Sequence, residues 1–269
     1  MIGRRAGLAL PALLLARSAR AVEWQGAPAQ GALLIGRTAP GTRLALDGRA
    51  VRVGTDGAFA LGFGRDHGPA ATLTITPPRG SAATQPLAIA PRSWQTQRIE
   101  GLPGTMVTPP PEVLARIARE REQLAALRRV DSPTALFANG FAWPASGRIS
   151  GVYGSQRILN GEARSPHFGL DIAAPTGTPV LAMAPGRVLL AADLYFTGNT
   201  VVLDHGHGVQ SLHAHLSRMD AAEGATVAQR QPIGAIGATG RVTGPHLHLG
   251  LNWFTTPVDP QPLLPAVQG

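Results

Sequence analysis

The spacing of turn signals constrains the fold of this chain more than any other feature. Leu44 and Leu46 precede the pair Asp47-Gly48, and Val51 and Val53 follow it. Asp56-Gly57 comes just before Phe59, Leu61 and Phe63, and Leu73 and Ile75 repeat the alternation before Pro77-Pro78. Period-two alternation puts every second side chain on one face of a strand, and Asp-Gly closes a hairpin because both residues tolerate positive φ. Short strands with such frequent turns predict a small β-sandwich over residues 22–108. One stretch reads as helix. It begins after Pro109-Pro110-Pro111 and runs over about 112–129, where Val113, Leu114, Ile117, Leu124 and Leu127 form an interrupted apolar stripe. Arg116, Arg119, Glu120, Arg121 and Glu122 occupy the outer face, where they can pair at i,i+3 or i,i+4. A coiled coil needs several more heptads, so 109–131 is expected to be a packed linker helix, stopped by Asp131-Ser132-Pro133. Residues 132–269 are again β-rich, with strands expected at 148–153, 180–183, 187–191, 200–204, 209–216, 232–238 and 246–252. Pro185-Gly186, Gly198-Asn199 and the glycines at 206 and 208 mark turns between them. The expected fold class is mainly β: an N-terminal β-sandwich, a linker helix and a C-terminal antiparallel sheet domain. A length of 269 residues accommodates two modest domains.

The first 21 residues read as an export signal. Arg4 and Arg5 give a charged start, 8–16 are apolar, and Ala19-Arg20-Ala21 supplies a small-residue cleavage site before Val22. The apolar run is shorter than the roughly 20 residues that span a bilayer. The expected mature protein is periplasmic or secreted, with no stable membrane span. The chain has no cysteine, so disulfides and thiolate metal ligands are excluded. Its net charge of +8 favours anionic partners in general. The basic residues are all Arg and are scattered, without a run of like charge or interleaved aromatics, so no nucleic-acid partner is expected.

Seven of the eight histidines fall between residues 167 and 248. His167 and Asp171 are four apart, His213 and His215 two apart, and His246 and His248 two apart. Even spacing on a strand keeps side chains on one face, so each pair can point at a common cavity. Zinc with an open coordination position needs three such ligands from separated segments. His167, Asp171, His246 and His248 are the candidates, and the residues alone do not decide which of His246 and His248 binds metal. His213 is either a further histidine near the site or a core residue. His205 and His207, in Asp204-His-Gly-His-Gly208, read as structural loop residues, as does His67 beside Gly68-Pro69.

These residues bring the chain to a known family. His167-x-x-x-Asp171, His215-Leu216 and Thr239-Gly-Arg-Val-Thr-Gly-Pro-His-Leu-His248 resemble the motifs of the LytM/lysostaphin-type zinc metallopeptidases, the M23 family of peptidoglycan endopeptidases. Arg157-Ile-Leu-Asn-Gly161 and Asp171-Ile-Ala-Ala-Pro-Thr-Gly177 extend the resemblance, which covers about 137–260. The resemblance implies that Zn2+ is held by His167, Asp171 and His248. It implies that His215 and His246 are the non-ligand catalytic pair, and that peptide cross-links of peptidoglycan are the substrate. The chain departs from the pattern at His213, where Tyr is frequent, and at Arg230, where Gly is frequent. The competing reading is a non-catalytic LytM-like module that binds peptidoglycan and activates an amidase. A missing ligand or catalytic histidine would favour it, and none is missing.

Overall fold

A computed structural model describes residues 22–266; the expected export signal at 1–21 lies outside them. The N-terminal part contains β1 (Val22–Gln25), β2 (Leu33–Thr38), β3 (Arg43–Leu46), β4 (Arg49–Val51), β5 (Ala58–Gly62), β6 (Ala70–Thr76) and β7 (Ala83–Ala88). They form two antiparallel sheets, ordered β1-β2-β5 and β4-β3-β6-β7. Asp47-Gly48 turns β3 into β4, as the pair predicts. The inward residues Leu34, Phe59 and Leu61 of one sheet and Leu44, Leu46 and Leu73 of the other share one apolar core.

The next elements leave this sandwich. β8 (Thr96–Ile99) is followed by the short α1 (Gly104–Val107) and by α2 (Pro111–Leu127). Pro111 sits in the first turn of α2, where a missing N–H costs nothing. Leu124 and Leu127 of α2 pack on Leu190, Leu194 and Val202. The helix is also tied down by polar contacts. Arg116 bridges Glu120 and Asp193, and the Tyr195 N–H donates to Glu120.

The remaining strands are β9 (Arg148–Gly151), β10 (Gln156–Leu159), β11 (Glu162–Ala163), β12 (Leu170–Ala173), β13 (Pro179–Leu181), β14 (Gly186–Leu194), β15 (Gly198–Asp204), β16 (Val209–Met219), β17 (Thr226–Val227), β18 (Pro232–Ile236), β19 (His246–Trp253) and β20 (Thr256–Val258). Ten of them make one sheet along the path β17-β14-β15-β16-β19-β12-β9, with β13, β18 and β20 attached to its flanks. β10 and β11 lie outside this sheet. β8, from the stretch preceding α2, pairs with β10 in parallel, from Thr96 opposite Gln156 to Ile99 opposite Leu159. The Asn160 side chain then holds the Leu102 backbone through both its N–H and its carbonyl.

One face of the large sheet is apolar. Leu170 and Ile172 of β12 and Leu247 and Leu249 of β19 are fully buried on it. The other face of the same central strands carries Asp171, His246 and His248.

Candidate metal centre

Three adjacent strands, β16, β19 and β12, bring the site together. Asp171 of β12 lies opposite His248 of β19, and Ala173 lies opposite His246. His246 and His248 alternate with the buried Leu247 and Leu249, so period two places both histidines on the polar face. His167 comes from the loop before β12. That loop is pinned to the 152–155 segment, with His167 N–H donating to Ser155 O (2.8 Å) and Gly154 N–H to His167 O (2.7 Å). Gly169 lets the loop pass beneath β19. A Cβ there would stand 2.5 Å from His248 Cε1 and 2.7 Å from Leu249 O, so only glycine fits without displacement.

His215 reaches this face by an irregularity. Between His213 and Leu216, β16 has one residue more than its partner β15, where the matching positions are Val201 and Asn199. The resulting bulge holds His215 at φ +64°, an uncommon conformation for a non-glycine residue. A bulge reverses the facing of the residues beyond it. His213, in register with Val201 and Leu249, faces the core and is fully buried. His215 emerges on the polar face, its ring 4.8 Å from that of His246 and 6.0 Å from that of His248. The expectation that His213 and His215 share a cavity is therefore corrected: parity fails where the strand is bulged. His205 and His207 are buried in the loop, away from this face. His205 Nδ1–H donates to Pro185 O and its Nε2 accepts from Ser211, while His207 bonds Pro133 O.

Ring tautomers follow from the backbone. A carbonyl only accepts, so a ring nitrogen bonded to one carries the proton. His167 Nδ1 bonds Val152 O at 3.1 Å, His215 Nδ1 bonds Thr239 O at 2.8 Å, and His246 Nδ1 bonds Gly244 O at 2.9 Å. In the neutral form each then keeps its Nε2 lone pair. His167 Nε2 lies 3.0 Å from Asp171 Oδ1 and 3.0 Å from His248 Nδ1, and His248 Nδ1 lies 2.8 Å from the same carboxylate oxygen. Three potential acceptors thus converge within 4.8 Å of one another. With His167 neutral, at most one proton, on His248 Nδ1, is available to them. The set is short of positive charge at its centre, which is the condition a divalent cation relieves. Two imidazole nitrogens and a carboxylate oxygen are a zinc-type donor set.

Arg157 completes the arrangement. Its Nη2 donates to Asp171 Oδ2 at 3.1 Å, which leaves Oδ1 to face the histidines. Such a contact is the kind of outer support that orients a carboxylate toward a metal. Burial pushes the Asp171 carboxyl up, but the hydrogen bonds and charge that protonated His167 and His248 rings would supply outweigh it and hold the group well below the usual carboxylate range. Burial pushes His215 down to about 3, with His248 and His246 adding to the effect, so its ring is neutral at neutral pH. Sequence reasoning finds His167, Asp171, His215, His246 and His248. It places Arg157 within a motif but gives it no role, and the supporting carbonyls of Val152, Thr239 and Gly244 carry no sequence signal at all.

Comparison with known proteins places the site in a family. The family model described as Peptidase family M23 matches residues 165–260, which contain all five of these residues. A crystal structure from Pseudomonas aeruginosa, assigned to peptidase M23, is 30% identical, superposes with a TM-score of 0.69, and covers 87% of this chain and 94% of its own. The chain belongs to peptidase family M23. Among curated proteins, the DD-carboxypeptidase/endopeptidase Mpg of Neisseria meningitidis is 46% identical over 94 residues, covering 35% of this chain and 22% of its own length. The peptidoglycan DD-endopeptidase ShyA of Vibrio cholerae is 41% identical over 113 residues, covering 42% of this chain and 26% of its own. The matched part is thus only about a quarter of the length of either relative.

Proposed function

We propose that this chain is a zinc-dependent endopeptidase that hydrolyses peptide cross-links of peptidoglycan in the cell envelope. The observation that carries the reading is the convergence of His167 Nε2, Asp171 Oδ1 and His248 Nδ1 within 4.8 Å, beside two further histidines whose Nδ1–H groups are tied to backbone carbonyls. The names of Mpg and ShyA support the substrate class. In this reading residues 22–108 form the sandwich domain, 109–131 the linker helix and 132–269 the peptidase domain, and residues 1–21 direct export.

His167, Asp171 and His248 would hold the zinc. When bound, zinc supplies Lewis acidity, polarising a carbonyl and acidifying water toward neutral pH. The chain's own residues do the rest. Arg157 fixes the Asp171 carboxylate. His215 and His246 each present an Nε2 lone pair, and either can take a proton from water there. The histidine so protonated gives that proton to the departing amine. The other would donate a hydrogen bond to the developing oxyanion only as an imidazolium, with Nδ1–H kept on its backbone carbonyl and a second proton, taken from solvent, on Nε2.

The test uses purified protein, zinc and isolated peptidoglycan, with release of soluble peptides as the readout. Release that stops on chelation is expected. His215→Ala and His246→Ala should keep zinc and lose activity by about 10²- to 10³-fold, whereas His167→Ala, Asp171→Ala and His248→Ala should lose zinc. Full activity in either histidine variant would remove that residue from the mechanism. Zinc bound without any peptide release would turn the reading toward the non-catalytic activator.

A further inference from the structure

We propose that Arg241, with Arg157 beside it, forms a subsite for a free carboxylate on the substrate peptide, next to the bond to be cut. The proposal rests on the peptidase reading and deepens it.

A groove of about 650 Å³ runs past the site between α2 and the sheet, and Arg121, Arg128, Arg157, Arg164 and Arg241 line it with no Asp or Glu among its lining residues. A smaller chamber of about 150 Å³ shares Arg157, Leu159, His215 and Arg241 with the groove and also reaches His246. Asp171 is the one carboxylate lining that chamber, and its two oxygens are already engaged by Arg157 and by the histidines. The cleft therefore concentrates positive charge that its own lining does not neutralise. A field of one sign inside a low-dielectric cleft selects ligands of the opposite sign.

The guanidinium groups also have donors to spare. Arg157 uses Nη2 on Asp171, and its Nε is enclosed without an acceptor. Arg164 reaches Val107 O and Glu162 through Nη2, and its Nε is likewise enclosed without one. The Arg241 guanidinium makes a single long hydrogen bond, Nη1 to Met106 O at 3.4 Å. Its guanidinium lies 4.6 Å from the centre of the Phe196 ring. Stacking fixes the plane of the fork and leaves its edge free for a carboxylate, which binds Arg through two parallel bonds. Burial, then the charges of Arg157 and Arg164, destabilise the charged form of Arg241. Gln97, opposite Arg157 in the β8–β10 ladder, lines the chamber with its side-chain oxygen unpartnered. The chamber is thus partly built by a strand that precedes α2, and it has room for a small residue bearing the carboxylate.

The carboxylate can come from the C-terminus of the peptide or from a side chain, so the test compares three versions of one labelled peptide. The first has a free C-terminus and an acidic side chain near the scissile bond. The second is amidated at the C-terminus, and the third has the side chain amidated. With the zinc-loaded protein, amidating the recognised carboxylate should lower kcat/KM by about 10- to 100-fold, the range of one charge-assisted hydrogen bond. Whichever amidation has the effect identifies the source. In Arg241→Gln the ratio between free and amidated peptides should collapse toward one, and Arg241→Lys should restore part of it. Fluorescence anisotropy on chelator-treated protein reads the same preference without catalysis. If no peptide is cut while anisotropy still prefers the free acid and Arg241→Gln abolishes that preference, the subsite stands and the peptidase reading fails. If wild-type protein cuts or binds all three peptides within about threefold of one another, the subsite is overturned, whatever the stability of the variants.

Discussion

Replacing Gly169 by Ala tests the geometry of the metal centre with one methyl group. The added Cβ would lie 2.5 Å from His248 Cε1 and 2.8 Å from its Nε2. Carbon atoms rest at about 3.5–4.0 Å, so the ring or the loop must move by about 1 Å. The loop is held at both ends, by the bonds of His167 to 154–155 and by the β12 ladder. The imidazole of His248 and the β19 backbone at Leu249, whose carbonyl oxygen the Cβ would meet at 2.7 Å, must therefore both yield, and His248 Nδ1 leaves the point shared with His167 and Asp171. A misplacement of about 1 Å costs on the order of 10²-fold in rate, and a disturbed ligand about 10- to 100-fold in metal affinity. The assay pairs zinc titration against a competing chelator with peptide release, and thermal unfolding reports folding. Gly68→Ala is the control, since a Cβ there meets nothing within 4 Å. Zinc affinity and activity within about threefold of wild type in a folded Gly169→Ala protein would refute the close packing of Gly169 on His248 as a determinant of the site.

Three further outcomes are expected of the same structure. Arg157→Gln removes the partner of Asp171 Oδ2 and should weaken zinc binding by about 10- to 100-fold with the fold retained; a competing-chelator titration checks it. Zinc should raise the melting temperature, because it replaces repulsion among three converging donors, and saturation at about 100 times Kd is worth about 2.7 kcal/mol; an unchanged melting curve with and without chelator would contradict this. In metal-free protein, burial lowers His205 and lowers His213 to about 3, below the unfolded value of about 6.5. The unfolded chain then binds more protons below pH 6.5. Stability from these groups is full above that pH and falls as pH drops below it, for His213 down to about pH 3 and by up to about 1.4 kcal/mol per unit. Urea midpoints at pH 7.5 and pH 5 should differ accordingly, and equal midpoints would mean the two rings are not held neutral.

The cluster of His167, Asp171, His246 and His248 is legible in the sequence because its pattern is local: a histidine and an aspartate four apart, and two histidines on alternate positions of an eight-residue strand, although spacing alone does not separate His246 from His248. Parity works at His246 and His248 because β19 is regular, and fails at His213 and His215 because β16 is not. Nothing in Leu212-His-Ala-His-Leu216 marks the bulge, which is set by pairing with β15 and β18. β12 is not foreseen at all. Four residues between a glycine-containing loop and a proline-containing turn are too few for a periodicity to register, although this strand lies at the centre of the site. The role of Arg157 escapes notice because its partner Asp171 is joined to it only by the folded chain. The β3–β4 hairpin and α2 are readable, since an Asp-Gly turn and a proline-initiated amphipathic stretch are encoded within a few residues, whereas Asp56-Gly57, which reads as a second hairpin turn, instead carries the chain from one sheet to the other.

The parallel pairing of β8 with β10 has a practical consequence for anyone wishing to isolate the C-terminal half. Cutting the chain after α2 would strip the partner from Gln156–Leu159 and leave β10 and β11 as a two-stranded ribbon with a bare hydrogen-bonding edge. Such ribbons are marginal alone, and bare edges recruit strands from other molecules. A truncated chain would thus tend to repair itself by borrowing a strand from a neighbour, so its yield should fall with concentration. A boundary placed before Thr96 keeps the native strand in place.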